Sequence, residues 1–316
     1  MRVVRLFGHR RVFGFSEERL RGWLADQVGK RKQVVPTRVR HDFCLREAWV
    51  AGSYCPVIEP LGGWQPGSPV LLFLHGGGLI FEAMPFHWMA AAQIVRATGA
   101  RLAFLNYPLL PEATIVDSTA VALQAFQELV AGTLDGVAHV PEDIVLLGDS
   151  AGATLVLTLA SELRQRGLKA RHLICVSPAQ CYIDDPQLRA QVAAQDAKDD
   201  MLRSSLLETL LSIMVDQAES NEFYLRPLQA DYRGFSPLTV FAGTEELFYP
   251  FMPGFLAALE RDQATYDYFV GEGLCHVWPY VPAPDCRWGL EKIIQTIGEA
   301  FGLGSPGAPG RQRPAR

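Results

Sequence analysis

Short, uninterrupted apolar runs recur along this chain and constrain its fold more than any other feature. The runs are found at residues 70–74 (VLLFL), 101–106, 144–147, 173–176 and 238–242, with a further candidate at 266–270. Such a run is typical of a strand that is covered on both faces, because neither face then needs polar side chains. Helix-like stretches separate the runs, at 88–98, 116–130, 151–166, 254–261 and 288–301. The alternation predicts an α/β fold with a mostly parallel central sheet and helices on both faces.

The N-terminal part, one internal stretch and the C-terminal tail depart from this alternation. Residues 16–30 fit a helix that Ser16 caps, with two glutamates in its first turn. Residues 34–57 mix β-branched and aromatic residues with polar ones, which predicts two antiparallel strands. Residues 187–233 contain a helical stretch near 202–217 but no buried run, so we expect an insertion that covers the mouth of the sheet. The Gly- and Pro-rich tail predicts disorder.

Composition limits the class of function. The 316 residues are 49% hydrophobic and 20% charged, which fits either two globular domains or one large one. The net charge of −5 disfavours a nucleic-acid partner. No apolar run is long enough to cross a bilayer and no secretory signal is evident, so we expect a cytoplasmic protein. Six scattered cysteines without a CxxC pair disfavour a zinc site and favour free thiols.

The pentapeptide GDSAG at 148–152 is the strongest chemical signal. A buried run precedes it and a helix-like stretch follows it, so Ser150 falls on a tight turn between strand and helix. That context is typical of a nucleophile elbow, in which the hydroxyl stands above the sheet. The alternative is a serine that merely caps the helix. We predict that Ser150 is a nucleophile.

The sequence HGGG at 75–78 directly follows the run at 70–74. Three glycines after a buried strand leave backbone N–H groups free to bind an anionic oxygen, which predicts an oxyanion hole. We expect Gly76 and Gly77 to donate, together with the N–H of Ala151. A phosphate-binding loop is the alternative, but GK[ST] and GxGxxG motifs are lacking. His75 is expected to hydrogen-bond the loop backbone.

A nucleophilic serine needs a base and an acid. Of the seven histidines, only His276 follows the last predicted strands, where the base of such an elbow is expected. The acid should follow the preceding strand, which ends at 238–242. Glu245 and Glu246 are both within reach there, and spacing alone does not choose between them. Either carboxylate would orient His276.

These motifs together resemble the hormone-sensitive-lipase-like branch of the α/β hydrolases. HGGG followed by GDSAG is the pairing of that branch, and three further segments are similar to its motifs: 107–112, 243–250 and 273–279. The segment FHW at 86–88 resembles a related group of bacterial esterases. The resemblance assigns the acid to Glu246, although the family usually has Asp there. Phe251 and Leu79 also depart from the family pattern, without removing a reacting group.

The resemblance implies a carboxylesterase that forms an acyl-enzyme on small acyl esters, without a metal or organic cofactor. It implies a core of residues 36–179 and 233–302, a cap of 1–35 and 180–232, and a tail of 303–316. Six apolar residues of the cap stretch either favour an apolar acyl group or simply pack a helix: Met201, Leu202, Leu206, Leu210, Leu211 and Met214. A homodimer, an amide or N-acetyl hydrolase and a ligand-binding family member without catalysis stay open as alternatives.

Overall fold

A central sheet of eight strands organises the part of the chain that this computed structural model describes, namely residues 12, 15–31, 33–215 and 222–303. Its strands are β1 (Cys44–Arg46), β4 (Val57–Glu59), β5 (Val70–Leu74), β6 (Arg101–Leu105), β7 (Ile144–Asp149), β8 (His172–Val176), β9 (Leu238–Gly243) and β10 (Tyr266–Gly271). Their order is β1-β4-β6-β5-β7-β8-β9-β10. Pairing is antiparallel between β1 and β4 and between β4 and β6, and parallel across the other neighbours. The predicted, mostly parallel α/β sheet is confirmed.

The apolar runs in the centre of the sheet form strands because both faces of the sheet are buried there. In β5, Val70, Leu72 and Leu74 pack into the core on one face, while Leu71 and Phe73 pack into the core on the other. Successive side chains of a strand point to opposite faces, so one run contributes to two cores. All six predicted runs are strands, each within two residues of the expected ends.

Helices cover both faces of the sheet. They are α1 (Glu17–Gln27), α2 (Thr37–Asp42), α3 (Pro85–Thr98), α4 (Ile115–Ala131), α5 (Ala151–Gln165), α6 (Pro186–Ala194), α7 (Ser204–Val215), α8 (Glu222–Leu225), α9 (Met252–Arg261) and α10 (Arg287–Ala300). The predicted cap of α1 is present, since Ser16 Oγ accepts a hydrogen bond from the Arg19 N–H at 3.4 Å. This helix buries Leu20 and Leu24.

The prediction for residues 34–57 is partly wrong. This stretch begins with helix α2, and its strands are short: β1, then the hairpin β2 (Trp49–Val50) and β3 (Ser53–Tyr54), then the start of β4. Pro36 precedes the first turn of α2 with extended backbone, and Val39 alone on that helix is buried. One buried residue per two turns is too little apolar periodicity to reveal a helix in sequence.

The stretch between β8 and β9 is helical, as predicted, and contains α6, α7 and α8. Residues 216–221 of this stretch and 304–316 of the predicted disordered tail lie outside the described residues, as do residues 1–11. Within the described ranges, no helix is both long and apolar enough to span a bilayer. The same ranges contain no group of three or more His, Cys, Asp or Glu side chains suited to a metal ion.

Candidate active site

The strand–turn–helix around Ser150 has the geometry that the GDSAG motif predicts. Strand β7 ends at Asp149, helix α5 begins at Ala151, and Ser150 between them has φ +52° and ψ −123°. This backbone conformation is strained for a residue with a side chain. Gly152 is required because a Cβ there would overlap the carbonyl of Leu74 in the adjacent strand. The close approach of α5 to β5 therefore sets the position of Ser150 at the end of the sheet.

Ser150, His276 and Glu246 lie in one hydrogen-bonded chain. The distance from Ser150 Oγ to His276 Nε2 is 2.9 Å, and that from His276 Nδ1 to Glu246 Oε2 is 3.3 Å. Glu246 is fully buried, and Ser150 and His276 retain 9% and 3% exposure. With its proton on Nδ1 directed at the carboxylate, the imidazole can accept the Ser150 proton at Nε2. The structure thus brings together the three residues that the sequence singled out.

Glu245, the other candidate acid, makes no hydrogen bond to His276 within the described residues, whereas Glu246 does. Its backbone N–H donates to the carbonyl of Leu274 at 3.1 Å, and its side chain is partly exposed. The turn after β9 is tied to the turn after β10 by two more bonds. The Thr244 N–H donates to the Gly271 carbonyl at 3.0 Å, and Thr244 Oγ1 accepts from the Gly273 N–H at 2.8 Å. These bonds fix which glutamate faces His276.

Burial and charge act in opposite directions on His276. Burial alone lowers its pKa, but the hydrogen bond and charge of Glu246, together with the charges of Asp199 and Asp149, outweigh burial and raise the pKa above its usual value. Burial also raises the pKa of Glu246, against the lowering effect of His276. Three carboxylates around one buried imidazole favour its protonated form.

The HGGG loop corrects one sequence prediction, that of Gly76 as an oxyanion donor. The Gly76 N–H donates to Asp149 Oδ1 at 3.1 Å, so it is already used. Gly77 has φ +126°, which glycine adopts readily, and a Cβ there would lie 2.8 Å from the Phe81 carbonyl. Gly77, Gly78 and Ala151 line the cleft described below, and Gly76 does not.

His75 has the structural role that was expected of it. Its Nδ1 and the carbonyl of Gly76 are 2.7 Å apart, and its ring stacks on Tyr107, whose hydroxyl donates to the His75 carbonyl at 2.6 Å. Burial, followed by the nearby His87, lowers the pKa of His75 to about 4. A neutral imidazole at this site donates to the loop backbone and is far from basic enough to accept protons at neutral pH.

An open cleft gives access to Ser150 and His276. It has a volume of about 780 Å³, including its solvent-filled mouth. Its walls are mostly apolar and include Met84, Phe86, Leu202, Leu206, Leu207 and Leu210. Gln180 and Tyr224 add polar groups. The cleft therefore suits a mainly apolar molecule with a reactive polar group next to Ser150.

The match to a known family agrees with this geometry. A family model of the α/β hydrolase fold matches residues 71–280. The chain belongs to the α/β hydrolases. The family that the sequence motifs indicated is thereby confirmed, and the matched residues include all three members of the hydrogen-bonded chain.

Curated relatives of this α/β hydrolase include esterases and acetyl hydrolases. An esterase of Acinetobacter venetianus is 26% identical over 60% of this chain and 60% of the relative. An acetyl-hydrolase of Streptomyces hygroscopicus is 25% identical over 74% and 77%. An acetyl esterase of Salmonella typhi is 30% identical over 52% and 53%. The chain thus spans less than two thirds of the length of the first and third of these relatives.

Solved structures share the fold of this α/β hydrolase over nearly its whole length. A Staphylococcus aureus protein assigned as an esterase has a TM-score of 0.80 at 18% identity, covering 92% of this chain and 96% of that one. An esterase of the bacterial hormone-sensitive lipase family has a TM-score of 0.69 at 24% identity, covering 91% and 98%. At these identities, the likeness concerns the fold.

Three residues at the site of this α/β hydrolase escaped the sequence analysis as participants. His87 Nδ1 accepts from the Met84 N–H at 2.9 Å, and its Nε2 lies 3.1 Å from Asp149 Oδ2. Ser177 Oγ accepts from the Val277 N–H, next to His276, at 3.0 Å. Asp199, from the stretch between β8 and β9, accepts from the Leu247 N–H at 2.7 Å. Only His87 lay in a recognised motif, and no motif marks the other two.

Proposed function

We propose that this α/β hydrolase is a carboxylesterase that cleaves small acyl esters, with Ser150 as nucleophile, His276 as base and Glu246 as the acid of the triad. The observation that carries the proposal is the 2.9 Å contact between Ser150 Oγ and His276 Nε2, inside a cleft open to solvent. The esterase and acetyl esterase names of the relatives support the same activity. A family member that only binds ligands has no need of this contact.

The proposed reaction has two steps that follow from the positions of the three side chains. In the first, His276 takes the hydroxyl proton as Ser150 Oγ attacks the ester carbonyl, and the same proton then passes to the departing alcohol. In the second, His276 takes a proton from the water that attacks the acyl-serine, and it returns this proton to Ser150 Oγ as the carboxylic acid is released. Glu246 holds the Nδ1 proton and stabilises the imidazolium that forms in both steps.

The oxyanion of each tetrahedral intermediate would be held by the N–H groups of Gly77, Gly78 and Ala151. All three residues line the cleft, and no hydrogen-bond acceptor for these N–H groups is present in the described part of the chain. Ala151 is the first residue of α5, where helical N–H groups lack partners and favour negative charge. Loss of one such donor typically slows turnover by roughly 10²- to 10³-fold.

We further propose residues 180–232 as the larger part of a cap, with the N-terminal segment beside it. Ten described residues of this stretch, among them Gln180, Leu206 and Pro227, line the cleft. Arg21 of α1 donates to Ser212 of α7 at 3.4 Å. The apolar walls favour short to medium acyl chains over charged substrates. The side chain of Met214, which was expected to contribute, lies outside the described residues. A cytoplasmic location, a homodimer and the lack of a nucleic-acid partner stay predictions.

Hydrolysis of p-nitrophenyl acetate, butyrate, octanoate and palmitate tests the proposal. We expect turnover of the shorter esters and covalent labelling of Ser150 by a fluorophosphonate. The variant S150A should lose both, at a cost in kcat of about 10⁴-fold or more. Ser161 is a matched control, because it is buried on the same helix α5 but does not line the cleft. The variant S161A should keep the activity and the labelling.

The outcomes separate the proposal from its alternatives. Labelling of Ser150 without turnover of any ester would contradict the esterase assignment and favour an amide or N-acetyl substrate, for which p-nitroacetanilide is the probe. If the protein shows no labelling and no turnover, the triad geometry does not support catalysis. Equal activity of S150A and the unmodified protein would exclude Ser150 as the nucleophile.

A further inference from the structure

A buried carboxylate from the proposed cap contacts the turn that carries Glu246. Asp199 lies between α6 and α7, and its Oδ2 accepts from the Leu247 N–H at 2.7 Å. Leu247 directly follows Glu246 in the chain. The Asp199 carboxylate therefore bridges two segments that are distant in sequence, and it binds the acid turn at the residue next to the proposed triad acid.

The second oxygen of the same carboxylate organises part of the cleft wall. Asp199 Oδ1 accepts from the N–H groups of Met201 and Leu202 at 2.6 and 2.8 Å. Both of these residues line the cleft. One side chain thus connects the wall that a substrate would touch to the turn that would orient His276.

The environment of Asp199 is unusual for a residue that only fastens two segments. The side chain is 1% exposed, and no cation pairs with its carboxylate within the described part of the chain, where Arg203 donates to the Asp199 backbone carbonyl instead. A buried carboxylate without a cationic partner is costly for folding, even when backbone N–H groups bind it. Two neutral acceptors, one for each set of N–H groups, could fasten the same segments without a buried charge.

We propose that Asp199 is a positioning residue of the triad, which holds the Glu246 turn in place and adds its negative charge to those of Glu246 and Asp149 around the His276 imidazolium. This inference rests on the proposed function. In the unmodified protein, the charge of Asp199 favours protonated His276, and it opposes ionisation of Glu246. The imidazolium forms in both chemical steps, so a fixed negative charge nearby stabilises the transition state of each step.

The direction of the pH effect follows from the groups around His276. The carboxylates that face it are Glu246 from the turn after β9, Asp149 from the elbow and Asp199 from the stretch between α6 and α7. His276 must be neutral to act as a base, so activity is lost as pH falls through its pKa. Removal of one negative charge lowers that pKa. The acid limb of kcat/KM therefore moves to lower pH when Asp199 is neutralised.

The test compares D199N with D196N, using p-nitrophenyl butyrate across the pH range. Asp196 is a matched control, because it also lies between α6 and α7 and its carboxylate also accepts a backbone hydrogen bond. Its two oxygens accept from the N–H and the hydroxyl of Ser204, the first residue of α7, both at 2.7 Å. We expect D199N to move the acid limb down by about half a unit to one unit. We also expect kcat to fall about tenfold with KM within about threefold, well short of the loss of a triad acid. The control D196N should keep the acid limb of the unmodified protein.

Two further variants keep the inference testable. D199E retains the charge and should restore the acid limb even if the longer side chain lowers kcat. D199S supplies a neutral acceptor for the N–H groups of Met201 and Leu202, and it serves if D199N fails to fold. An acid limb unchanged in a folded, active D199N or D199S would overturn the role of Asp199 and leave the proposed function standing. An unmodified protein that neither hydrolyses esters nor labels at Ser150 would overturn both.

Discussion

Neutralising Asp149 should loosen the oxyanion loop while leaving the triad side chains intact. The carboxylate has two tasks: Oδ1 accepts from the Gly76 N–H and Oδ2 contacts His87 Nε2, both at 3.1 Å. His87 cannot change its tautomer to suit an amide, because its Nδ1 already accepts from the Met84 N–H. Its Nε2 therefore carries the proton. In D149N, the single amide oxygen can serve only one of the two donors, and the NH₂ group faces the other.

The magnitude follows from this arrangement. One charge-assisted hydrogen bond contributes about 1.5–3 kcal/mol, and a buried donor left without an acceptor costs about 1–3 kcal/mol. We expect D149N to lose roughly 3 kcal/mol of unfolding free energy, since relaxation recovers part of the combined loss. At about 2.1 cal/mol/K per residue, unfolding of 316 residues has an entropy near 0.7 kcal/mol/K. The melting temperature should therefore fall by about 4–5 °C.

The effect on activity should exceed the effect on stability. A shifted Gly76 displaces the N–H groups of Gly77 and Gly78, and we expect kcat to fall by roughly 10- to 100-fold, below the loss of a complete donor. Calorimetry and p-nitrophenyl butyrate hydrolysis measure the two effects. The variant D143N is a control, because Asp143 immediately precedes the same strand β7 and pairs with Arg171 while 43% exposed. It should lose less than about 1 kcal/mol and keep its kcat. A D149N protein with kcat within threefold of the unmodified protein and an unchanged melting temperature would refute the reasoning.

Two further predictions concern stability. G152A should fail to give folded protein, because its Cβ would overlap the Leu74 carbonyl. The control G254A in α9, where no atom lies within 4 Å of the new Cβ, should gain up to about 1 kcal/mol of unfolding free energy. Circular dichroism of the purified variants decides, and a folded G152A would contradict the close packing at the elbow. The pKa of buried His75 falls from 6.5 to about 4 on folding, so the unfolded chain binds a proton at this residue first. The contribution of His75 to the free energy of unfolding is complete above pH 6.5, and about 3 kcal/mol of it is lost as the pH falls towards 4. Urea unfolding at pH 7.5 and pH 5 should therefore show a smaller pH dependence for H75Q than for the unmodified protein, and an equal dependence would exclude this role.

The centre of the sheet was predictable because strands β5, β6, β7 and β9 are buried on both faces. Continuous apolar runs leave few other solutions, so even the ends of β5 agree with the pattern. Helix α2 was not predictable, since a six-residue helix with one buried side chain leaves no periodic signal. Local strand signals in its neighbours then dominated the prediction.

The residues of the site also fall into those that the sequence could predict and those that it could not. Ser150 and His276 could be placed because each follows a recognisable strand. The choice of Glu246 over Glu245 depends on how two turns bind each other, and the engagement of the Gly76 N–H depends on a contact with Asp149 across strands. Sequence spacing does not encode such cross-strand contacts. Asp199 lies between α6 and α7 and in no motif, so nothing in the sequence linked it to the acid turn.

The bonds between the turns after β9 and β10 have a consequence for protein engineering. Thr244 is hydrogen-bonded to Gly271 and Gly273, and Glu245 is hydrogen-bonded to Leu274, so the two turns form one structural unit. A graft that transfers only one of these turns into another scaffold would lose these hydrogen bonds, and the acid and the base would no longer be held in position relative to each other. Residues 243–246 and 271–276 should therefore be exchanged together, as a single two-segment cassette, in any chimera between hydrolases of this fold.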